Sequence, residues 1–159
     1  MFVKQSELFW DLGHGFVKEV VEQTEKESVA KGYILFFEGE PATHFYTLIK
    51  GSVRLKIGES GRDVFVLNRT GESFGWSSLV GRKHYSATAE CMAPTSVLKV
   101  HYQDFETICE KYPLDGRIFM KRLAGLLGQR LLRSYEMMAS SLRTDEVAYG
   151  TGQVQEMAE

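Results

Sequence analysis

Long hydrophobic runs are missing from this chain: no window approaches the roughly 18 uninterrupted apolar residues of a membrane-crossing helix, and the N-terminal MFVKQSELFWDL has none either. A soluble, cytoplasmic chain is expected. An excess of one charge is missing too. The 19 basic and 21 acidic residues leave a net charge of −2 and a pI near 6.1, so no whole-chain field draws in nucleic acid or another anionic polymer. Any anion has to be small and held locally. Cysteine is scarce: Cys91 and Cys109 stand 18 apart without CxxC or Cys/His spacing, which argues against a disulfide framework or zinc site and leaves two buried, reduced thiols. His14, His44, His84 and His101 are scattered singly. A metal-dependent jelly-roll enzyme of the cupin type would need a histidine pair two apart; that reading stays only as an alternative. Five residues separate Gly75 from Gly81, one too many for a phosphate-binding P-loop. No metal and no catalytic residue is expected.

Glycine is what the chain has in quantity, 15 of 159 residues, a length suited to one domain. From Ser6 to Glu27 the apolar residues Phe9, Leu12, Phe16, Val17, Val20 and Val21 recur at steps of three and four, a helical face weakened in its first half by Gly13 and Gly15. After Gly32 the pattern becomes short β-type runs, YILFF, HFYTLI, SVRLKI and RDVFVL, each break carrying glycine. SVRLKI sets Val53, Leu55 and Ile57 on one face against Ser52, Arg54 and Lys56 on the other, as in a half-buried strand. YSATAECMA and TSVLKVHY, split by Pro94, read as a final hairpin. From Tyr102 the period is helical again: a short helix over DFETICEKY with Asp104 in its first turn, then one long helix from Pro113. Along the latter, Leu123, Leu127, Leu131, Tyr135, Met138 and Leu142 form a stripe longer than a small core can cover, beside the small residues Ala124, Gly125 and Gly128. Glycine costs about 1 kcal/mol inside a helix, so a close approach of another backbone is expected there. The stripe predicts a homodimer through Ala124, Leu127, Gly128, Leu131, Tyr135 and Met138; packing on the chain's own barrel is the alternative.

The order of leading helix, GYILFFEGEPATHFYTLIKGSVRL, NRTGESFGW, hairpin, short helix and long helix resembles a cyclic nucleotide-binding domain of the catabolite activator (Crp/Fnr-like) type, over roughly Leu8 to Leu142. The resemblance implies a mainly β fold with flanking helices: a double-stranded β-helix, or jelly-roll-like β-roll, of eight strands with an N-terminal helix and a long C-terminal helix. The domain then spans 1–143, with its dimerisation helix at 113–142 and a flexible tail at 144–159. Relatives that regulate transcription place a helix-turn-helix domain after the long helix, whereas here 17 residues with an acidic balance follow Leu142, so direct DNA binding is not expected.

In that family FGWSSLVGRKHYSATA, residues 74–89, is the phosphate-binding cassette, where a short helix start offers N–H groups to a cyclic phosphate. Phe74, Gly75, Leu79, Ser86, Ala87 and Thr88 match the family pattern, while Trp76 stands where a glutamate accepts from the ribose hydroxyl and Tyr85 where an arginine pairs with the phosphate. A tyrosine hydroxyl cannot supply that charge. The candidate ligand residues are Phe74, Gly75, Trp76, Ser77, Ser78, Arg82, Tyr85, Ser86, Ala87 and Thr88. Three outcomes stay open: a sensor for a small anionic or aromatic ligand, a cyclic AMP-binding regulator with a divergent, weaker pocket, or a relic in which Trp76 fills the pocket and Ser77 only caps the helix. The partners expected are that small molecule, a second copy of the chain and a protein that receives the signal.

Overall fold

Eight short strands, seven of them from the glycine-punctuated region, stack as two four-stranded antiparallel sheets. The computed structural model describes residues 6–60, 62–141, 146–148 and 154–156. Helix α1 (His14–Glu22) leads into β1 (Glu25–Val29), β2 (Ile34–Phe36), β3 (His44–Lys50), β4 (Val53–Ile57), β5 (Arg62–Leu67), β6 (Ser73–Phe74), β7 (Thr88–Cys91) and β8 (Thr95–His101). Helices α2 (Tyr102–Lys111) and α3 (Pro113–Ser141) follow, then an antiparallel pair, β9 (Glu146–Ala148) and β10 (Val154–Glu156). The sheet orders are β1-β8-β3-β6 and β2-β7-β4-β5. Contacts divide the chain into residues 1–120, which hold the roll, α1, α2 and the start of α3, and residues 121–159. Among the described residues no helix is long and apolar enough to cross a membrane.

The β-roll with an N-terminal and a long C-terminal helix is as expected; three details differ. The first helix begins only at His14, with Gly13 at its cap, because residues 6–11 form turns that bury Leu8 and Phe9. Nor does it reach Glu27. The Thr24 hydroxyl donates back to the Val20 carbonyl at 2.7 Å, and the charged EKESV that follows is an edge strand, β1. Its charges suit a solvent-facing edge and hid it from a hydrophobic reading. Third, YSATAECMA and TSVLKVHY form no hairpin: β7 pairs with β2 and β4, and β8 with β1 and β3. The link at Pro94 crosses between sheets and seats the turn at Gly51, where a Cβ would lie 2.6 Å from the Pro94 carbonyl oxygen. Gly51 sits at φ 102°, so both conformation and space require glycine there.

Two apolar clusters hold residues 1–120 together. Inside the roll, Phe36, Tyr46, Leu48, Val53, Leu67, Phe74, Tyr85, Ala89, Cys91 and Val97 pack between the sheets. Under the helices, Phe9, Phe16, Phe45, Phe105 and Phe119 form a ring cluster, with centroids 4.5 Å apart for Phe105–Phe119 and 5.0 Å for Phe9–Phe119. Helix α1 is tied to the α2–α3 junction by polar contacts. The Gly13 N–H donates to Asp115 Oδ1 at 2.8 Å, and Glu19 accepts from Lys111 and, at 2.9 Å, from the Tyr112 hydroxyl. The Lys111 hydrogen bond holds the Glu19 carboxyl below the usual carboxylate range.

Helix α3 runs to Ser141, as the stripe predicts, though Leu142 lies outside the described residues. His101, not Asp104, caps α2; Asp104 charges its first turn.

Candidate ligand site

The cassette begins where β6 ends. Gly75 takes φ 71°, a left-handed turn that any other residue enters at a cost. A Cβ there would lie 2.9 Å from Tyr46 Cδ2 and 3.1 Å from Phe36 Cε1. Glycine is therefore needed for conformation and for the approach of the chain to the aromatic wall. Trp76–Val80 then form a five-residue 3₁₀ helix closed by Gly81, also left-handed at φ 79°. Gly75 is the cap residue and no side chain caps this helix, so Ser77 has no capping role. Ser77 is 3% exposed. The Ser78 hydroxyl is buried without a hydrogen-bond partner among the described residues, a state that costs about 1–3 kcal/mol until something fills it.

Beyond the 3₁₀ helix the chain runs beside the 39–42 loop. Ala42 N–H donates to the Lys83 carbonyl, Tyr85 N–H to the Glu40 carbonyl and Gly39 N–H to the Tyr85 carbonyl, each at 2.9 Å. That ladder turns the Tyr85 side chain into the roll, where it is 4% exposed. Its ring stacks on Phe36 at a centroid distance of 3.8 Å and 16°. Its hydroxyl donates to the His44 carbonyl at 2.7 Å and accepts the His44 N–H at 3.0 Å. Tyr85 thus offers the site a ring face, while its hydroxyl is engaged by β3. The neighbouring Tyr46 phenol is pushed far above the usual range, chiefly by burial and then by Tyr85.

What remains open is a cavity of about 30 Å³ lined by Phe36, Leu55, Gly75, Trp76, Ser77, Tyr85, Ser86 and Ala87. Six of the ten sequence candidates meet there: Gly75, Trp76, Ser77, Tyr85, Ser86 and Ala87. Phe74 is instead fully buried in the roll. The Thr88 hydroxyl accepts the Glu38 N–H at 2.9 Å, Ser78 lies on the 3₁₀ helix outside the lining, and Arg82 is exposed. Phe36 and Leu55 were not among the sequence's site candidates; the alternation of SVRLKI marks Leu55 as inward-facing, but the unbroken apolar run YILFF does not tell Phe36 from Phe37, and neither says which cavity is faced.

At the far end of the 3₁₀ helix, Leu79 joins Phe105, Cys109, Pro113, Gly116 and Met120 around a wider groove of about 390 Å³, rimmed by Glu106, Glu110 and Arg117. The cassette and the α2–α3 junction thereby share one wall. Burial pushes the Cys109 thiol up to about 11, which makes it a poor nucleophile. Among the described residues no three of His, Cys, Asp and Glu gather as a metal would need.

Comparison with known proteins agrees with this geometry. The chain is 30% identical over 141 residues to the global nitrogen regulator of Synechococcus elongatus, covering 85% of this chain and 58% of that one. The catabolite activator protein of Thermus thermophilus superposes with a TM-score of 0.69 at 25% identity, over 84% of this chain and 62% of that one. A cyclic nucleotide-binding domain from Methylobacillus flagellatus superposes with a TM-score of 0.75 at 20% identity, over 89% and 81% of the two chains. The chain spans less than three fifths of the length of the curated relatives it matches. The cupin alternative finds no support among these matches. The profile of the cyclic nucleotide-binding domain family matches residues 26–112, more than half of the chain, and this protein belongs to that family.

Proposed function

We propose that this domain is a non-catalytic cytoplasmic sensor whose cassette takes a small anionic or aromatic ligand in preference to cyclic AMP or cyclic GMP, and whose output passes through a homodimer formed by α3. The observation that carries the ligand reading is the seat of Tyr85. A cavity of about 30 Å³ has room for one water molecule, against the several hundred Å³ of an ordinary ligand pocket. Tyr85 is bolted by its ring and its hydroxyl, so a ligand is admitted by displacing Trp76, a partly buried lining residue. Ser77 and Ser86 then supply hydroxyls from the lining, and the guanidinium that fixes a cyclic phosphate has no counterpart among the described lining residues.

Titration calorimetry tests this. Cyclic AMP and cyclic GMP are expected to bind at least ~100-fold more weakly than to a family member with the glutamate and arginine in place, a difference of ~2.7 kcal/mol. Low-micromolar binding of either nucleotide overturns the reading.

The dimer rests on the outer half of α3. Leu131 is 50% exposed, Tyr135 38% and Met138 46%, and a Cβ added at Gly125 or Gly128 would meet nothing within 4 Å among the described residues. Packing among the described residues gives no reason for either glycine. A second α3 crossing at this point supplies one. The wall shared by Leu79 and Pro113 gives cassette occupancy a route to α3 through differential contacts in two states.

A further inference from the structure

An opening of ligand size lies at the α2–α3 junction, wholly within residues 1–120: the groove of about 390 Å³, against about 30 Å³ at the cassette. Small-molecule sites run from about 300 to 1,000 Å³ and combine apolar walls with a few polar groups. The groove has that make-up. Phe105 and Leu79, 1% and 9% exposed, join Cys109 and Met120 in its apolar lining. Glu106 and Glu110 stand on the α2 side and Arg117 on the α3 side. We propose that this groove is a second binding site, separate from the cassette, for a small amphipathic amine. Its apolar body lies against Leu79, Phe105 and Met120, and its positively charged nitrogen at Glu106 and Glu110.

The charge of the lining selects the sign of the ligand. Glu106 and Glu110 are four apart on α2, so their carboxylates share one face of the helix and repel each other. Among the described residues neither carboxylate, nor the Arg117 guanidinium, has an ion pair or a side-chain hydrogen bond. Glu19, by contrast, is engaged by Lys111 and Tyr112. Two carboxylates against one guanidinium leave the lining net negative, and a cation between Glu106 and Glu110 relieves their repulsion. The negative field reaches the apolar lining: burial first and Glu106 second push the Cys109 thiol upward. A carboxylate ligand would find Arg117 alone and face both glutamates. An uncharged one would gain the apolar contact only.

No residue is common to the linings of the groove and the cassette cavity. The 3₁₀ helix Trp76–Val80 nonetheless gives Trp76 and Ser77 to the cavity and Leu79 to the groove, so an occupant of the groove bears on the cassette helix from outside the cassette. The amine site stands whatever the cassette binds.

NMR titrations of the full chain with phenylbutylamine, phenylbutanol and phenylbutyrate test this, since the three share an apolar body and differ in the charge at its end. The amine is expected to shift the Leu79 and Met120 methyl signals and the Gly116 amide with a Kd on the order of 1 mM, the scale for a ligand of about a dozen heavy atoms. It should bind at least ~5-fold more tightly than the butyrate, the scale of one or two exposed ion pairs. Glu106→Gln with Glu110→Gln changes two exposed side chains; it should leave the circular dichroism unchanged and bring the amine down to the affinity of the alcohol. Arg117→Gln should leave amine binding intact or strengthen it. Equal affinity for amine and butyrate, or an amine affinity unchanged in the glutamine pair, would overturn the proposal. Tighter binding of the butyrate would overturn it too, by making Arg117 the recognising group. So would amine shifts confined to Ser86 and Ala87, which line the cassette cavity, or no shift at the groove with any of the three.

Discussion

Tyr85→Ala is expected to destabilise the domain by about 3–5 kcal/mol, the range for removing a large buried ring and leaving its cavity. Tyr85→Phe should cost about 1–3 kcal/mol, because the His44 N–H and carbonyl both lose their hydroxyl partner. The ring stack on Phe36 persists in the second variant and is lost in the first, so the difference between them isolates the ring. Chemical denaturation reads both. A Tyr85→Phe variant within 0.5 kcal/mol of wild type would mean that the hydroxyl does not pin the loop. The same seat governs attempts to restore the family's chemistry. Trp76→Glu with Tyr85→Arg should raise affinity for a cyclic nucleotide, yet the new guanidinium cannot stay where Tyr85 lies, since an unpaired buried charge is unfavourable. It has to swing toward the cavity mouth. The double variant is therefore expected to gain affinity and lose stability together; no gain would mean that the cassette backbone cannot open.

Leu131→Glu is expected to convert a dimer into a folded monomer, read by sedimentation and circular dichroism. Leu131, Tyr135 and Met138 lie exposed along one face of α3, an apolar stripe of the kind that marks an interface. A carboxylate at the seam meets its own copy across a twofold axis. Gly128→Ala separates this reading from a solvated helix by sign. On a helix facing water the change stabilises by about 0.8–1 kcal/mol. Where two helices close over Gly128, the added methyl disrupts the contact and weakens association. A wild type that sediments as a monomer at ~100 µM, together with a stabilised Gly128→Ala, would remove the dimer from the proposal.

The repeating glycine breaks made the roll legible, because each marks a chain reversal that few other residues make as readily. What stayed hidden depended on pairing over long distances. The run through Pro94 looked like a hairpin because two β-type segments flank a short break, and only the partners of β7 and β8, on opposite sheets, show otherwise. At the cassette, the sequence named Gly75, Trp76, Ser77 and Tyr85 but not the direction of Tyr85. That direction is set by the backbone ladder to residues 39–42, over forty residues earlier, and no local pattern encodes it. Phe36 escaped for the same reason: its role as the stacking partner of Tyr85 exists only once the two strands are folded together.

Strand β1 finds its ladder partner in β8, with Ser28 and Ser96 hydroxyls 2.9 Å apart across 68 residues of chain. At ribosomal rates of about 5–20 residues per second, roughly 3–14 s pass between the emergence of one and the arrival of the other. Through that interval β1 has no ladder partner, and an apolar strand left waiting would be open to aggregation. Glu25, Lys26 and Glu27 make it a poor template for another chain. The first sheet can close only after residue 101 has left the exit tunnel, and nascent chains halted earlier should lack protease resistance at β1.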